Sequence, residues 1–448
     1  MKINQRIKYS SIALVAAIII GGTIYLNSLL PIITGYAAKN LASAVFVSER
    51  AQEDVEALDL NFSFIKYAKN VIDYDNKRVT SSFLWDKSVA IYREGYGCTL
   101  IQDEDDLFDD LPTLVAPYSP DTINWPMGNI LPTTNTGADI GKLNQIKENL
   151  IINSKYGGHA FAFVVLHKGV PVIEGYNDGI SRDTKLLSWS MAKSFTSALS
   201  GIMSLNEQID IYSPAMVDEW EYDERNEITV NDLLRMNSGL KWNEGYGNRS
   251  DVTVMLHCES DFGEYAASRT LRHKPGTKWY YSSGSTNIVN RLMRNSFDNT
   301  DDYYKYAYEQ LFYKIGMPNA VFELDESGVQ VGSSYIYATA LDYARFALLY
   351  LNNGYFDGEK VLPNGWVYYT TDLTSDSSGE YGASFWLNLS KTLPSAPTSM
   401  YSCNGHDGQR IFILPEQEAA VVVLGYSPKS RNNMDFDLLL HDVLEALD

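Results

Sequence analysis

From Tyr9 to Ala38 the chain carries no charged residue, about thirty positions in a row, and Lys2, Arg6 and Lys8 stand just before it. The apolar centre runs from Ile12 to Tyr25 and continues through Leu29, Leu30, Ile32 and Ile33. Lipid offers no hydrogen bonds, so a segment of this kind is viable only as a helix that satisfies its own backbone. About 20 residues suffice to cross a bilayer. The basic flank is expected to stay cytoplasmic, which sends the remainder outward, to a periplasmic or extracellular location. A cleaved signal peptide is the alternative, with Gly35-Tyr36-Ala37 as the small-x-small site. The apolar stretch exceeds the usual ~7–15-residue signal core and so favours a retained single-pass anchor over a secreted product.

The 448 residues suffice for one large or two ordinary domains. A formal net charge of -20 argues against nucleic-acid binding, which needs basic clusters to meet phosphate. Cys98, Cys258 and Cys403 show no CxxC spacing and allow at most one disulfide. The six histidines form no HxH or HExxH pair, so neither a metal site nor a cofactor is expected.

The anchor is assigned to residues 1–34 and an N-terminal extension to 35–120. In the extension, Ala38 to Leu60 reads as an amphipathic helix and Val79 to Ile101 as a hairpin. The acidic run Asp103-Glu104-Asp105-Asp106 with Asp109-Asp110 reads as a solvated loop. Prolines at 117, 120, 126 and 132 mark the boundary. Residues 121–448 read as the main domain. Helices are expected at Ile140 to Ile152, Val230 to Met236, Tyr335 to Asn352 and from about Asp435. Strands are expected at Ala160 to Leu166, Pro171 to Tyr176, Arg410 to Leu414 and Ala419 to Gly425. Strands at both ends, with a helical insertion at about 208–325, give an α+β class.

Three S-x-x-K matches occur: Ser63–Lys66, Ser190–Lys193 and Ser238–Lys241. A serine needs a base to act as a nucleophile, and a desolvated lysine one helical turn away can serve. Ser238 is followed by Gly239, which argues for a helix end. Ser63 has no partner motif nearby. Ser190 opens a segment whose Met191, Phe195, Ala198, Leu199 and Ile202 recur at helical spacing, with Ser188 as its expected N-cap. Tyr281, in Trp279-Tyr280-Tyr281-Ser282-Ser283, precedes a helix that begins after a Pro275-Gly276 turn. Its phenolate, beside Lys193, is a candidate proton relay. The late segment Gly405-His406-Asp407-Gly408-Gln409 enters a strand. Its glycines allow close backbone approach, and the Gln409 N–H, with that of Ser190, is a candidate oxyanion donor.

Together these elements resemble the penicillin-recognising serine hydrolase superfamily, in its class C β-lactamase-related branch of esterases and nylon-oligomer hydrolases. The order S-x-x-K, Y-x-N or Y-x-S, then K-T-G or H-x-G is met by Ser190–Lys193, Tyr281-Ser282-Ser283 and His406-Asp407-Gly408. The segments Leu233 to Leu240 and Tyr337 to Phe346 are similar too, and the likeness covers about residues 120–448. Ser188-Trp189-Ser190 and Trp242-Asn243-Glu244 look most like the 6-aminohexanoate-dimer-hydrolase-like members. The resemblance implies an antiparallel sheet flanked by helices, with a helical domain across the cleft.

Two departures matter. Ser283 stands where β-lactamases have Asn, and His406 replaces the Lys of K-T-G that helps to hold a substrate carboxylate. They shift the expectation from lactamase or D-amino-acid peptidase toward an esterase or amidase acting on a small-molecule or short-peptide substrate. Ser190, Lys193 and Tyr281 are the expected catalytic set, and His406, Gly408 and Ser283 the supporting one. A penicillin-recognising-type binding protein that does not turn over is the rival from another class. A Ser–Asp–His α/β-hydrolase is disfavoured, because no G-x-S-x-G is present.

Overall fold

The computed structural model describes residues 2–103, 111–428 and 432–447. At its centre lies a six-stranded antiparallel sheet. In spatial order its strands are Trp386–Leu387, Tyr401–Asn404, Arg410–Leu414, Ala419–Gly425, Ala160–His167 and Val170–Tyr176. Ala419–Gly425 pairs directly with Ala160–His167, so the two ends of the main domain close on each other. Both of these strands are buried along their whole length, because helices cover both faces. Side chains alternate across a strand. Val421 and Val423 therefore meet Leu143, Ile146 and Leu150 of helix Ile140–Ile151 and Leu439, Leu440 and Val443 of helix Phe436–Leu447. Val422 and Leu424 turn the other way, into a core shared with Phe195, Leu199, Ala344 and Phe346. Phe195 stacks on Phe346 with ring centroids 3.7 Å apart, which fixes helix Ala192–Leu205 against helix Ala340–Leu351.

Between about 208 and 325 the chain is mainly short helices, as expected. Val230–Leu234, Asp251–Cys258, Phe262–Ala267 and Ser283–Asn295 are the main ones. The first of these ends at Leu234, two residues early, since Met236 takes a left-handed φ of 60°. The segment from Tyr335 splits into strand Ile336–Ala338 and helix Ala340–Leu351. Thr339 starts that helix by forming a capping box with Asp342.

The N-terminal region departs further from expectation. One helix runs from Lys2 to Phe46, about 67 Å at 1.5 Å per residue, straight through the boundary placed at 34. Its stretch from Ala13 to Tyr25 is exposed, with Leu14, Ile18 and Ile24 all above 60%. From Leu30 onward it is core: Ala37, Ala38, Leu41 and Ala42 are fully buried. Small residues let the helix lie close on its neighbours, and an added Cβ at Gly35 would come within 3.0 Å of His257 O. The expected amphipathic helix over 38–60 is therefore the end of this long helix plus a short one, Gln52–Ala57.

The expected hairpin is a four-stranded antiparallel meander, Lys69–Asp73, Arg78–Phe83, Asp86–Arg93 and Gly97–Ile101. Its first two strands are polar and half-exposed, so little periodicity marks them. Of the acidic run, Asp103 donates its N–H to Glu326 Oε1 at 2.9 Å, and 104–110 lie outside the described residues.

The extension is seated on the main domain. Lys39 Nζ meets Glu323 Oε2 at 2.5 Å with both side chains almost wholly buried, and Cys98 N–H and Ser43 Oγ donate to Glu323 Oε1. All three cysteines are free.

Candidate active site

The segment Trp189–Met191 forms a single 3-10 turn, which leads into the helix Ala192–Leu205. Ser188 is not the cap the sequence predicts. Its backbone is already helical, at φ -71° and ψ -31°, and its hydroxyl bonds Trp189 O at 2.9 Å and Ser334 O at 3.2 Å instead. Trp189 adopts φ 45°, a left-handed conformation that costs a bulky residue free energy and persists only where surroundings enforce it. Those surroundings are aromatic: Trp189 contacts Tyr36, Tyr335 and His406, with ring centroids 5.5–6.4 Å away. Tyr36 belongs to the long N-terminal helix, so the extension reaches the turn that carries Ser190.

Lys193 lies one helical turn after Ser190, fully enclosed. Its Nζ donates to Ser190 Oγ at 3.0 Å, Ser283 Oγ at 3.0 Å and Ser333 O at 2.9 Å. These three acceptors match the three protons of an ammonium. Burial nevertheless pushes the Lys193 pKa down from 10.5 to about 8, against the opposing pull of Glu244. Ser283 passes the contact on: its hydroxyl donates to Glu244 Oε1 at 2.5 Å. Glu244 Oε2 accepts Ser283 N–H at 2.9 Å and Trp242 Nε1–H at 2.5 Å. A continuous polar chain thus runs from Ser190 through Lys193 and Ser283 to Glu244.

Tyr281 sits two residues before the helix Ser283–Asn295, whose N-cap is Ser282. The Lys193 ammonium lies 4.9 Å from its ring centroid, and its hydroxyl interacts with Ser190. The phenolate expected from the sequence does not fit this setting. Burial, then the charge of Glu244, raise the Tyr281 pKa well above its ordinary value, so it remains a phenol. Lys193 is the group whose basicity the site brings toward neutrality.

His406 lines the same cleft as Ser190 and Tyr281. It is stacked on Tyr246 at 4.6 Å and lies 3.3 Å from Asp407 Oδ1. Gly408 and Gln409 go elsewhere. Asp407 is left-handed at φ 53°, so the turn is tight and Gln409 N–H faces His406 O at 3.5 Å. The Gln409 side chain is clamped to Gly425 by two hydrogen bonds, of 2.5 and 3.0 Å. An added Cβ at Gly408, φ 94°, would meet Ser427 Cβ at 2.8 Å, so this glycine serves internal packing. The Gln409 side chain is thus held to Gly425, while its N–H, the expected second oxyanion donor, meets His406 O at the long distance of 3.5 Å. The Ser190 N–H itself, in the first turn, has no backbone partner among the described residues.

The cleft encloses about 470 Å³, walled also by Trp386, Leu387, Met400 and Arg410. Glu244 and Arg410 also line the cleft and belong to none of the three motifs. The Trp242-Asn243-Glu244 likeness pointed toward the first; no sequence signal marked the second.

A buried Ser–Lys pair, opening on a cleft between an antiparallel sheet and a helical half, defines the β-lactamase and penicillin-binding-protein class of serine hydrolases. The chain belongs to the Beta-lactamase family, whose match spans residues 144–444. Among solved structures it is similar to a putative 6-aminohexanoate-dimer hydrolase from Bacillus anthracis (TM-score 0.54, 19% identity, 75% of this chain and 87% of that one). It is likewise similar to a putative beta-lactamase from Bacteroides dorei DSM 17855 (TM-score 0.56, 18% identity, 69% and 99%). A family VIII carboxylesterase gives TM-score 0.54 at 15% identity, over 69% and 98%. At these identities the likeness is one of fold. No curated protein matches the chain.

Proposed function

We propose that the protein is an exported, membrane-anchored hydrolase that cleaves an ester or amide through an acyl-enzyme on Ser190. The observation that carries this reading is the enclosed Lys193 Nζ, 3.0 Å from Ser190 Oγ and with its pKa near 8. At pH 7 about one lysine in ten is then neutral, against about one in three thousand at the ordinary value of 10.5. In the neutral form Nζ keeps its bonds to Ser283 and Ser333 and offers a lone pair to the Ser190 proton. Ser190 Oγ attacks the carbonyl, Lys193 holds the proton, and the Ser190 N–H stabilises the oxyanion. Lys193 returns the proton to the leaving group, with the Tyr281 phenol as a hydrogen-bond donor beside it. Water then releases the acyl group by the reverse sequence.

The anchor is assigned to the stretch of the long helix from Tyr9 to about Leu29, ahead of its buried part and long enough to cross a bilayer. Trp85, 60% exposed, donates its indole N–H to Asn27 Oδ1 at 3.0 Å, a placement suited to the lipid–water interface. The test is labelling by a fluorophosphonate probe: wild type labels and Ser190→Ala does not. Equal labelling of both overturns the assignment.

A further inference from the structure

The strand Asp86–Arg93 runs alongside the long N-terminal helix. The Tyr92 and Phe46 ring centroids are 5.9 Å apart, Ser88 Oγ lies 2.8 Å from Thr34 Oγ1, and Trp85 Nε1–H reaches Asn27 Oδ1 at 3.0 Å. The hairpin joining Arg78–Phe83 to this strand therefore points back along the helix, toward the stretch assigned to the bilayer. Its loop is Leu84-Trp85 alone, between the paired Phe83 and Asp86. Two-residue loops favour Gly, Asn or Asp wherever φ is positive. Leu84 nevertheless takes φ 55°, and it and Trp85 are each 60% exposed. Phe64, packed on Phe83 with centroids 6.4 Å apart, is exposed as well. The next residue, Asp86, turns its carboxylate to the helix, where it accepts the Thr34 hydroxyl at 2.5 Å.

The level of this tip is set by the helix. At 1.5 Å per residue, Asn27 lies about 27 Å along the axis from Tyr9. Tyr9 and Tyr25 are both exposed. Exposed aromatic side chains thus mark two levels, Tyr9 at one and Tyr25 with Trp85 at the other, spaced close to the ~30 Å of a hydrocarbon core. Tyr and Trp gather at the two faces of a bilayer because the ring is apolar while its O–H or N–H needs a polar partner.

We propose that the Leu84-Trp85 tip is a second point of membrane contact, seated in the headgroup and upper acyl region of the bilayer that the helix crosses. This rests on the reading of the helix as an anchor and gives a separate surface its partner. A lone spanning helix leaves the domain free to tilt where the chain leaves the lipid, and a second contact beside it limits that tilt. Removal of Leu84 from water offsets the cost of its left-handed backbone.

The experiment places the full chain in phosphatidylcholine vesicles, with a nitrobenzoxadiazole fluorophore on one introduced cysteine at a time and a nitroxide on the lipid acyl chain as quencher. Cys98 and Cys403 are buried, and Cys258→Ser removes the third thiol. Ile18→Cys reports the helix, Lys87→Cys the strand beside an unchanged tip, and Asp75→Cys the opposite end of the meander; all three positions are exposed. The expected result is quenching at 18 and 87 and none at 75. Quenching at 18 without quenching at 87 overturns the hairpin contact and leaves the anchor standing. No quenching at 18 overturns the anchor, and the contact with it. Equal quenching at 75 and 87 also overturns the proposal, because the tip would then not be the part that meets lipid.

Leu84→Asn combined with Trp85→Ser removes the apolar tip, and Asn suits the left-handed position. With this change the label at 87 should lose most of its quenching while the label at 18 keeps its wild-type value. Unchanged quenching at 87 overturns the proposal.

Discussion

Glu244→Gln is an informative perturbation of the site, because it changes charge with little change of shape. Glu244 Oε2 accepts two N–H donors and Oε1 accepts the Ser283 hydroxyl. A glutamine fits the same place with its oxygen toward the two N–H groups and its amide nitrogen donating to Ser283 Oγ. Ser283 can then turn its proton toward Lys193, an arrangement that favours the neutral amine.

Ser283 Oγ lies 3.0 Å from Lys193 Nζ and 2.5 Å from Glu244 Oε1, so one hydroxyl separates the two charges. At an effective dielectric of about 20, unit charges about 5 Å apart interact by about 3 kcal/mol, or about two pH units, and partial screening leaves one to two. Glu244 raises the Lys193 pKa, so its removal lowers it. With the neutral amine as the active form, kcat/KM of the wild type rises with pH through about 8. In Glu244→Gln the midpoint of that limb should fall to about 6–7. The assay is the pH dependence of kcat/KM on a p-nitrophenyl ester, with melting curves to confirm folding. A midpoint that stays put or moves upward in a folded variant would mean that Glu244 does not raise the Lys193 pKa.

Lys193→Met should lower kcat/KM by about 10²–10⁴-fold, the usual worth of a general base. Because the folded-state pKa of Lys193 lies below its unfolded value, the wild type carries a burial cost below about pH 8 that fades as pH rises toward 10.5. Denaturant titrations should therefore show the Met variant gaining stability relative to wild type more at pH 7 than at pH 10. Tyr281→Phe should lower turnover less than Lys193→Met and leave the acid limb near pH 8, since the phenol is a donor and not the base; loss of that limb would contradict this. Lys39→Met strands the buried Glu323 carboxylate and should cost about 3–5 kcal/mol in a melting experiment, with Glu323→Gln added to it restoring much of the loss. Deleting residues 2–28 should give a detergent-free, active protein, whereas starting the chain at 47 should abolish folding, because residues 30–46 supply buried core.

Local pattern carried much of the site. The S-x-x-K spacing places Lys193 beside Ser190 whatever the tertiary fold, since both lie on successive turns of one helical segment. The late glycine-flanked histidine likewise entered the cleft. The Gln409 side chain did not, because it is clamped to Gly425, which spacing does not reveal. Glu244 and Arg410 come from a loop and a strand far apart in the chain, and only the folded cleft makes them neighbours. At the N-terminus, apolar residues suit lipid and protein core alike, so composition did not show where the exposed helix becomes buried at Leu30. The meander over 69–101 is larger than the expected hairpin because its first two strands are nearly as polar as loops.

Rapid quenching of the protein with a p-nitrophenyl ester, followed by peptide mass mapping, asks whether Ser190 carries the acyl group. An acyl adduct is expected on the peptide containing Ser190, absent in Ser190→Ala and accumulating when the released nitrophenol shows a burst. Steady hydrolysis with no adduct, or with the acyl group on another residue, would contradict it.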